Sequence, residues 1–406
     1  MSAEALRTFA LNAAVPGLRE PRFTVLPPLS LYIHVPWCIR KCPYCDFNSH
    51  EARGDIPEAA YVEALVADLD HALPLVWGRP VYTIFFGGGT PSVFSAESID
   101  AILSAMRARV PLAADAEVTL EANPGTFEAA KFAAYRAAGI NRLSIGIQSF
   151  DPRHLAALGR VHDQVQARRA IEIARDNFDN FNLDLMYALP GQTLDEVRAD
   201  MNAALAFEPP HLSVYHLTIE PNTLFHRNPP PIPDDDSASD MQDAVQAALG
   251  AAGYCHYETS AYARPGRECR HNLNYWRFGD YLGIGAGAHS KLTFPDRIVR
   301  QSRYRQPQQY TQCAAAGAPV QTEVPVGAQD AGFEFMMNAL RLNDGFALPL
   351  FEERAGVPLT GVLAALDQAE RRGLITRDHV RVAPTALGQR FLNDLLQIFL
   401  PVPDAP

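Results

Sequence analysis

Short apolar, β-branched runs alternate with longer amphipathic stretches along the first half of the chain. The runs fall at residues 31–35, 81–86, 117–121, 142–148, 182–186 and 211–218, and helical patterns occupy 59–73, 95–109, 126–138, 164–176 and 193–205. Strand followed by helix, again and again, leaves few folds open. Strands joined this way lie parallel, with the crossover helices packed outside them. Six units are two short of a closed eight-stranded barrel, so the pattern predicts an α/β fold built on an open, partial (β/α)6 barrel. At 406 residues the chain has room for that barrel and one smaller unit.

Beyond the sixth run the pattern changes. Residues 228–236 are proline-rich and then acidic, which excludes a helix interior or central strand and predicts an exposed loop before a helix near 237–250. Residues 301–327 turn polar and rich in Gln, Pro and Ala, the composition of a linker. Helical patterns at 331–342 and 358–368, two β runs at 374–377 and 380–383, and a closing helix at 386–399 predict a smaller, winged-helix-like C-terminal domain over 328–402. Residues 1–27, broken by Pro16, Pro21 and Pro27, are expected to be flexible, which leaves 28–300 for the barrel. The 35 Lys and Arg against 46 Asp and Glu give a net charge of −11. That balance speaks against nucleic acid as a partner. Neither a signal-peptide core nor a transmembrane-length run is legible, so a cytoplasmic protein is expected. Membrane association has no amphipathic anchor to support it.

Chemistry is signalled at the C-terminal ends of the runs. Cys38, Cys42 and Cys45, half of the six cysteines, follow the first. In a reducing compartment such a cluster reads as metal ligands. Three thiolates leave one of four coordination positions open, and an open position is where chemistry happens. Gly87-Gly88-Gly89-Thr90-Pro91 follows the second run, Glu121 ends the third and Gln148 the fourth, Asp184 lies within the fifth, and Thr218 ends the sixth. In parallel barrels these ends form one mouth. Glycines allow a ligand close to the backbone. Glu121 could take a ribose diol or an ammonium group, and the Arg160 fork a carboxylate. Asp184 needs a partner if buried. A structural zinc site, completed by His34 or His50, is the competing reading of the cysteines.

Cys-x-x-x-Cys-x-x-Cys with Tyr44 before its last cysteine resembles the signature of radical S-adenosylmethionine (SAM) proteins, and Gly87–Pro91 resembles their glycine motif. The chain is most similar to the branch of oxygen-independent coproporphyrinogen oxidase and its haem-chaperone relatives, the HemW-like proteins. The residues that carry this are Tyr32-Ile-His-Val-Pro-Trp-Cys38, Glu121-Ala-Asn-Pro124, Ser144-Ile-Gly-Ile-Gln-Ser-Phe150, Leu158-Gly-Arg-Val-His162, Asp184-Leu-Met-Tyr-Ala-Leu-Pro190 and His271-Asn-Leu-Asn-Tyr-Trp276. The resemblance implies a [4Fe–4S] cluster on Cys38, Cys42 and Cys45, with the amino-acid end of SAM on the fourth iron. An electron from that cluster would cleave a carbon–sulfur bond of SAM. The resemblance implies SAM contacts from Tyr32, Gly88, Gly89, Thr90, Glu121, Gln148, Arg160, Asp184 and Thr218. Tyr44 is expected on the cluster or the adenine, and Gly283–Gly287 is expected to close the pocket.

Two readings remain within that branch. The oxidase extends its motif to a further cysteine, where this chain has Phe47. It also resembles a chain with a longer N-terminal arm than the roughly thirty residues found here before the first run. Both departures favour the haem chaperone, which would carry haem as cargo and hand it to apo-haemoprotein acceptors. His271 and Tyr275, four apart on one helical face, are the haem-ligand candidates, with Cys269 behind them. His162 and His289 read as local hydrogen-bonding residues. The alternative is a SAM-dependent radical decarboxylase of coproporphyrinogen III.

Overall fold

The computed structural model describes residues 21–126 and 129–401. Twelve strands form one sheet: β1 Leu29–Val35, β2 Val81–Gly88, β3 Leu112–Ala122, β4 Arg142–Gln148, β5 Phe181–Tyr187, β6 His211–His216, β7 Cys255–Glu258, β8 Ala261–Ala263, β9 Asp280–Ile284, β10 His289–Phe294, β11 Arg297–Arg303 and β12 Val320–Val326. Their order is β12-β11-β10-β9-β1-β2-β3-β4-β5-β6-β8-β7. The six predicted strands are β1 to β6, adjacent and parallel. β9 adds a seventh parallel strand beside β1, in register Ile33 to Ile284. Antiparallel strands extend both edges.

Burial on both faces explains the apolar runs. In β1 and in β5 every residue but one is buried. The crossover helices cover the outside with one stripe each. Tyr61, Leu65, Asp68, Leu69, Ala72 and Val76 form that stripe on the helix Glu58–Val76, a spacing of three and four residues. Side chains also fix where helices begin. Asp163 with Gln166, and Thr193 with Glu196, form capping boxes at the helices Gln164–Asn177 and Leu194–Leu205.

Three expectations need correction. Residues 301–327 are not a linker. They hold the end of β11, the helix Pro307–Ala315 and the edge strand β12. Tyr310 of that helix is fully buried and its hydroxyl donates to Asp68 at 2.8 Å. The closing helix at 386–399 is two short helices, Ala386–Arg390 and Leu392–Gln397, broken at Phe391 (φ −111°, ψ 44°). Gly388 in the first of them lies so close to Leu374 O that a Cβ has no room. Of the segment 1–27, residues 1–20 lie outside the described residues. Phe23 is buried in the second core with Phe335, Phe351 and Leu366, and its N–H donates to Pro295 O at 3.0 Å.

That second core belongs to the C-terminal unit. There the helices Ala328–Ala339, Leu348–Ala355 and Leu363–Arg371 precede the hairpin Ile375–Arg377 and Arg381–Pro384. The hairpin is the wing anticipated from the sequence.

Candidate cluster and cofactor site

The cysteine loop leaves the C-terminal end of β1 and is tied down on every side. Gly89 and Thr90 N–H donate to Val35 O and Trp37 O, both at 2.8 Å. Lys41 Nζ donates to Phe47 O and Ser49 O at 3.1 Å, closing the loop on itself. Asn48 Nδ2 reaches across to Ala286 O and Arg305 O at 2.9 Å, and Asn48 O pairs with His34 Nε2 at 2.9 Å. On the far side Phe225 N–H donates to Pro43 O at 3.0 Å. The glycines serve this packing. A Cβ on Gly88 (φ +112°) would strike the His34 ring, and one on Gly287 would strike Asn48. Gly283–Gly287 thus lies against the cysteine loop, held by Tyr61, Asp68 and Tyr310 from behind.

All three thiols are free and half-buried. Polar groups meet each of them: Thr90 Oγ1 at 3.5 Å from Cys38 Sγ, Arg160 Nη1 at 3.6 Å from Cys42 Sγ with the Tyr44 hydroxyl beside it, and Ser49 Oγ at 3.8 Å from Cys45 Sγ. Such contacts suit sulfur that is to carry negative charge. Burial pushes the Cys38 and Cys45 thiols up, so binding metal would displace protons from them. The geometry disfavours zinc. Thiolates on one zinc at about 2.3 Å converge closely. Among the described residues, the only group of three His, Cys, Asp or Glu ligand atoms within 4.8 Å of one another is Asp151, His154 and Glu196. His34 spends Nδ1 on Tyr32 OH and Nε2 on Asn48 O. Wider spacing fits a multi-iron cluster, and no fourth cysteine joins the loop. Cys255 lies on β7, Cys313 on the helix Pro307–Ala315, and Cys269 is buried at the head of the helix Arg270–Trp276.

Below the loop lies a cavity of about 220 Å³ lined by residues that include Tyr32, Phe85, Glu121, Arg142, Ser144, Asn182 and Asp184, with His271, Asn272 and Tyr275. Burial, and then the charge of Asp184, raises the Glu121 carboxyl to about 8, against the Gly88 N–H that it accepts. Burial also raises Asp184, opposed by Ser144 and Asn182, which donate to it at 3.0 and 2.8 Å. The helix Arg270–Trp276 forms part of the wall. Glu117 accepts the N–H groups of Arg270 and His271 at its first turn, both at 3.1 Å.

The sequence-derived residues fall in different places. Tyr32, Glu121 and Asp184 line the cavity. Thr90 and Arg160 touch the cysteine sulfurs, and Arg160 Nη2 also donates to Gly146 O at 2.7 Å. Gln148, at the left-handed φ of +70°, has its side chain beside Gly146. Gly88 and Gly89 abut His34 and Trp37. Thr218 is exposed. The Tyr44 ring packs on Phe225 beside Leu158, Met186, Leu189 and Leu217, and its hydroxyl meets Cys42 and Arg160 at the cysteine loop. His271 is buried, with Nδ1 at 2.7 Å from Thr83 Oγ1 and Nε2 at 3.1 Å from Tyr275 OH. His271 and Tyr275 are thus hydrogen-bonded to each other in the cavity wall. Sequence reasoning passed over Arg142, Ser144, Asn182 and Ser213. Each sits two residues from another inward residue on its strand, so the period of two was the signal available.

Residues 32–204 match the Radical SAM superfamily, and residues 326–391 match the HemN C-terminal domain. Coproporphyrinogen III oxidase (HemN) from Escherichia coli shares the fold, with a TM-score of 0.79 at 24% identity over 98% of each chain. The heme chaperone HemW of Escherichia coli K12 is 50% identical over 379 residues, 92% of this chain and 99% of that one. Its Haemophilus influenzae counterpart is 47% identical over 92% of this chain and 98% of its own. The chain belongs to the HemW family within the radical SAM superfamily. Membership in that superfamily implies a [4Fe–4S] cluster and SAM.

Proposed function

We propose that this protein binds haem and delivers it to apo-haemoproteins, with a [4Fe–4S] cluster on Cys38, Cys42 and Cys45 and SAM beneath it in the barrel mouth. When bound, the cluster would supply electron transfer and an anchoring iron for SAM. Thr90, Arg160 and Ser49 would orient the thiolates and lower the cost of their charge. Tyr32, Glu121 and Asp184 line the space where the ligand's polar groups would sit. The raised carboxyl of Glu121 can hold a proton near neutral pH and so donate as well as accept.

The observation that carries the carrier reading over the oxidase is Phe47. It is 64% exposed at the position where the oxidase resemblance asks for a cysteine. Two assays on one anaerobically reconstituted sample decide. Haemin should bind, and coproporphyrinogen III should remain unconverted with SAM and a reductant. Conversion of that substrate would sink the carrier reading.

A further inference from the structure

Among the described residues three Lys or Arg side chains are buried: Arg142, Lys291 and Arg303. Two have carboxylate partners, Lys291 with Asp280 at 3.0 Å and Arg303 with Asp68 at 3.1 Å. Arg142 differs. It is 2% exposed and lines the barrel cavity from the start of β4. Among the described residues no carboxylate stands within ion-pair distance of it, and its Nε has no hydrogen-bond partner. The acidic groups whose charge reaches it are committed elsewhere. Asp184 accepts from Ser144 and Asn182, and Glu117 accepts from the N–H groups of Arg270 and His271. Asn182 Oδ1 is taken up by His211 Nδ1 at 2.7 Å and Ser213 Oγ at 3.1 Å. A second group beside Arg142 is also unpartnered. Thr119 of β3 is its register neighbour and fully buried, and Thr119 Oγ1 makes no hydrogen bond among the described residues. Two residues further along the same strands, Glu121 and Ser144 pair in register and line the cavity. Thr119 and Arg142 therefore share that inward face.

Buried polar groups are nearly always hydrogen-bonded, and a buried charge without a partner is costly. Two donors held side by side in that condition call for an acceptor from outside the chain. We propose that the floor of the barrel cavity binds a small monocarboxylate, held by the Arg142 guanidinium with the Thr119 hydroxyl as a further donor. The floor is distinct from the mouth: Arg142 begins β4, and Gln148 ends it. The planar fork of a guanidinium matches the two oxygens of a carboxylate. The surroundings favour a single negative charge. Glu121 and Asp184 stand in the same cavity wall and would repel a dianion. No second cation is present to balance one. Burial, and then the charge of Arg142, keeps the His211 and His271 rings neutral. The larger hollow of about 420 Å³ beside His256, where the barrel meets the C-terminal unit, has a different character. Its arginines, Arg341 and Arg390, already pair with Glu258 and Asp243.

The test uses formate as the probe on the full-length, cluster-loaded protein. Thermal unfolding is compared in sodium formate and in sodium chloride at equal ionic strength, and line broadening of [13C]formate reads binding directly. A ligand that binds only the fold raises the unfolding midpoint. The wild type should gain about 2–4 °C in saturating formate and should broaden the formate line. Arg142→Met keeps the length of the side chain and removes its charge. This variant should lose both responses, and its midpoint in chloride should stand above that of the wild type, because a buried charge without a partner is gone. A purely structural cation would give the reverse. Thr119→Val, with the same shape, should weaken formate binding about three- to tenfold. The proposal is overturned by wild-type formate responses in Arg142→Met, by a lowered or lost fold of that variant in chloride, or by a wild type that leaves the formate line sharp. Haemin uptake is read on its own, so the formate site and the carrier reading fail separately.

Discussion

Arg160 joins the cluster loop to the barrel: one guanidinium nitrogen meets Cys42 Sγ and another donates to Gly146 O. A buried cation beside a cluster thiolate stabilises the reduced, more negative state. Arg160→Met in the cluster-loaded protein should therefore move the midpoint potential to more negative values, by roughly 60 mV for a tenfold effect on a one-electron couple. An EPR-monitored redox titration reads this, and an unmoved potential would show that the contact is only structural. Glu121 offers a second residue-scale test. Its carboxyl stands at about 8 in the fold against an ordinary 4.5. Between those values the unfolded chain has lost a proton that the fold retains. Folding stability contributed by Glu121 therefore falls as pH rises through this window and is level above it. Urea unfolding of the apo-protein at pH 5, 6, 7 and 8 should show a decline in the wild type relative to Glu121→Gln. Parallel profiles would contradict a retained proton.

At the scale of elements, the cysteine loop depends on what surrounds it. Gly88 stands in the left-handed region, with the His34 ring where its Cβ would be. Gly88→Ala should cost about 1–3 kcal/mol of stability and lower the iron bound per chain, measured by denaturant unfolding and metal analysis. Full iron content in a stable Gly88→Ala protein would show that β2 does not shape the loop. The sequence carried the six parallel strands and the cysteine loop because both are local signals: a buried run followed by an amphipathic helix, and three thiols in eight residues. β7 to β12 were not legible. They are short or polar, as in Val320–Val326, where all but the two end positions are exposed. Such strands exist because a neighbour supplies their hydrogen bonds. The packing partners of Tyr44 and His271, Phe225 and Thr83, were not legible either, because each comes from a segment far away in the chain.

At the scale of the molecule, two cores meet. One fills the space around the barrel sheet, and the other gathers the C-terminal helices and wing around Phe335 and Phe351. Phe23 enters the second core from the other end of the described chain, so Phe23→Ala should destabilise that unit by about 3 kcal/mol. A lowered unfolding midpoint checks this; an unchanged one would show that the N-terminal strap is dispensable. Acid should loosen the whole fold. Burial lowers His34 and His162 to about 4 and His271 to about 3. These rings stay neutral in the fold while the unfolded chain takes up protons near 6.5. Their contribution is present above that value and declines as pH falls from about 6.5 towards 4. Urea midpoints at pH 7.5, 6 and 5 should fall in that order.

By itself the sequence determined the parallel barrel core, the three-cysteine loop and the line of polar groups at the strand ends. Each is written in neighbouring residues through the periodicity of strands and helices. Only the tertiary structure decided that residues 301–327 complete the sheet, that His271 bonds to Thr83 and Tyr275, and that a groove opens beside His256. Those outcomes depend on contacts between residues far apart in the chain, where hydrogen-bond satisfaction and burial outweigh local composition.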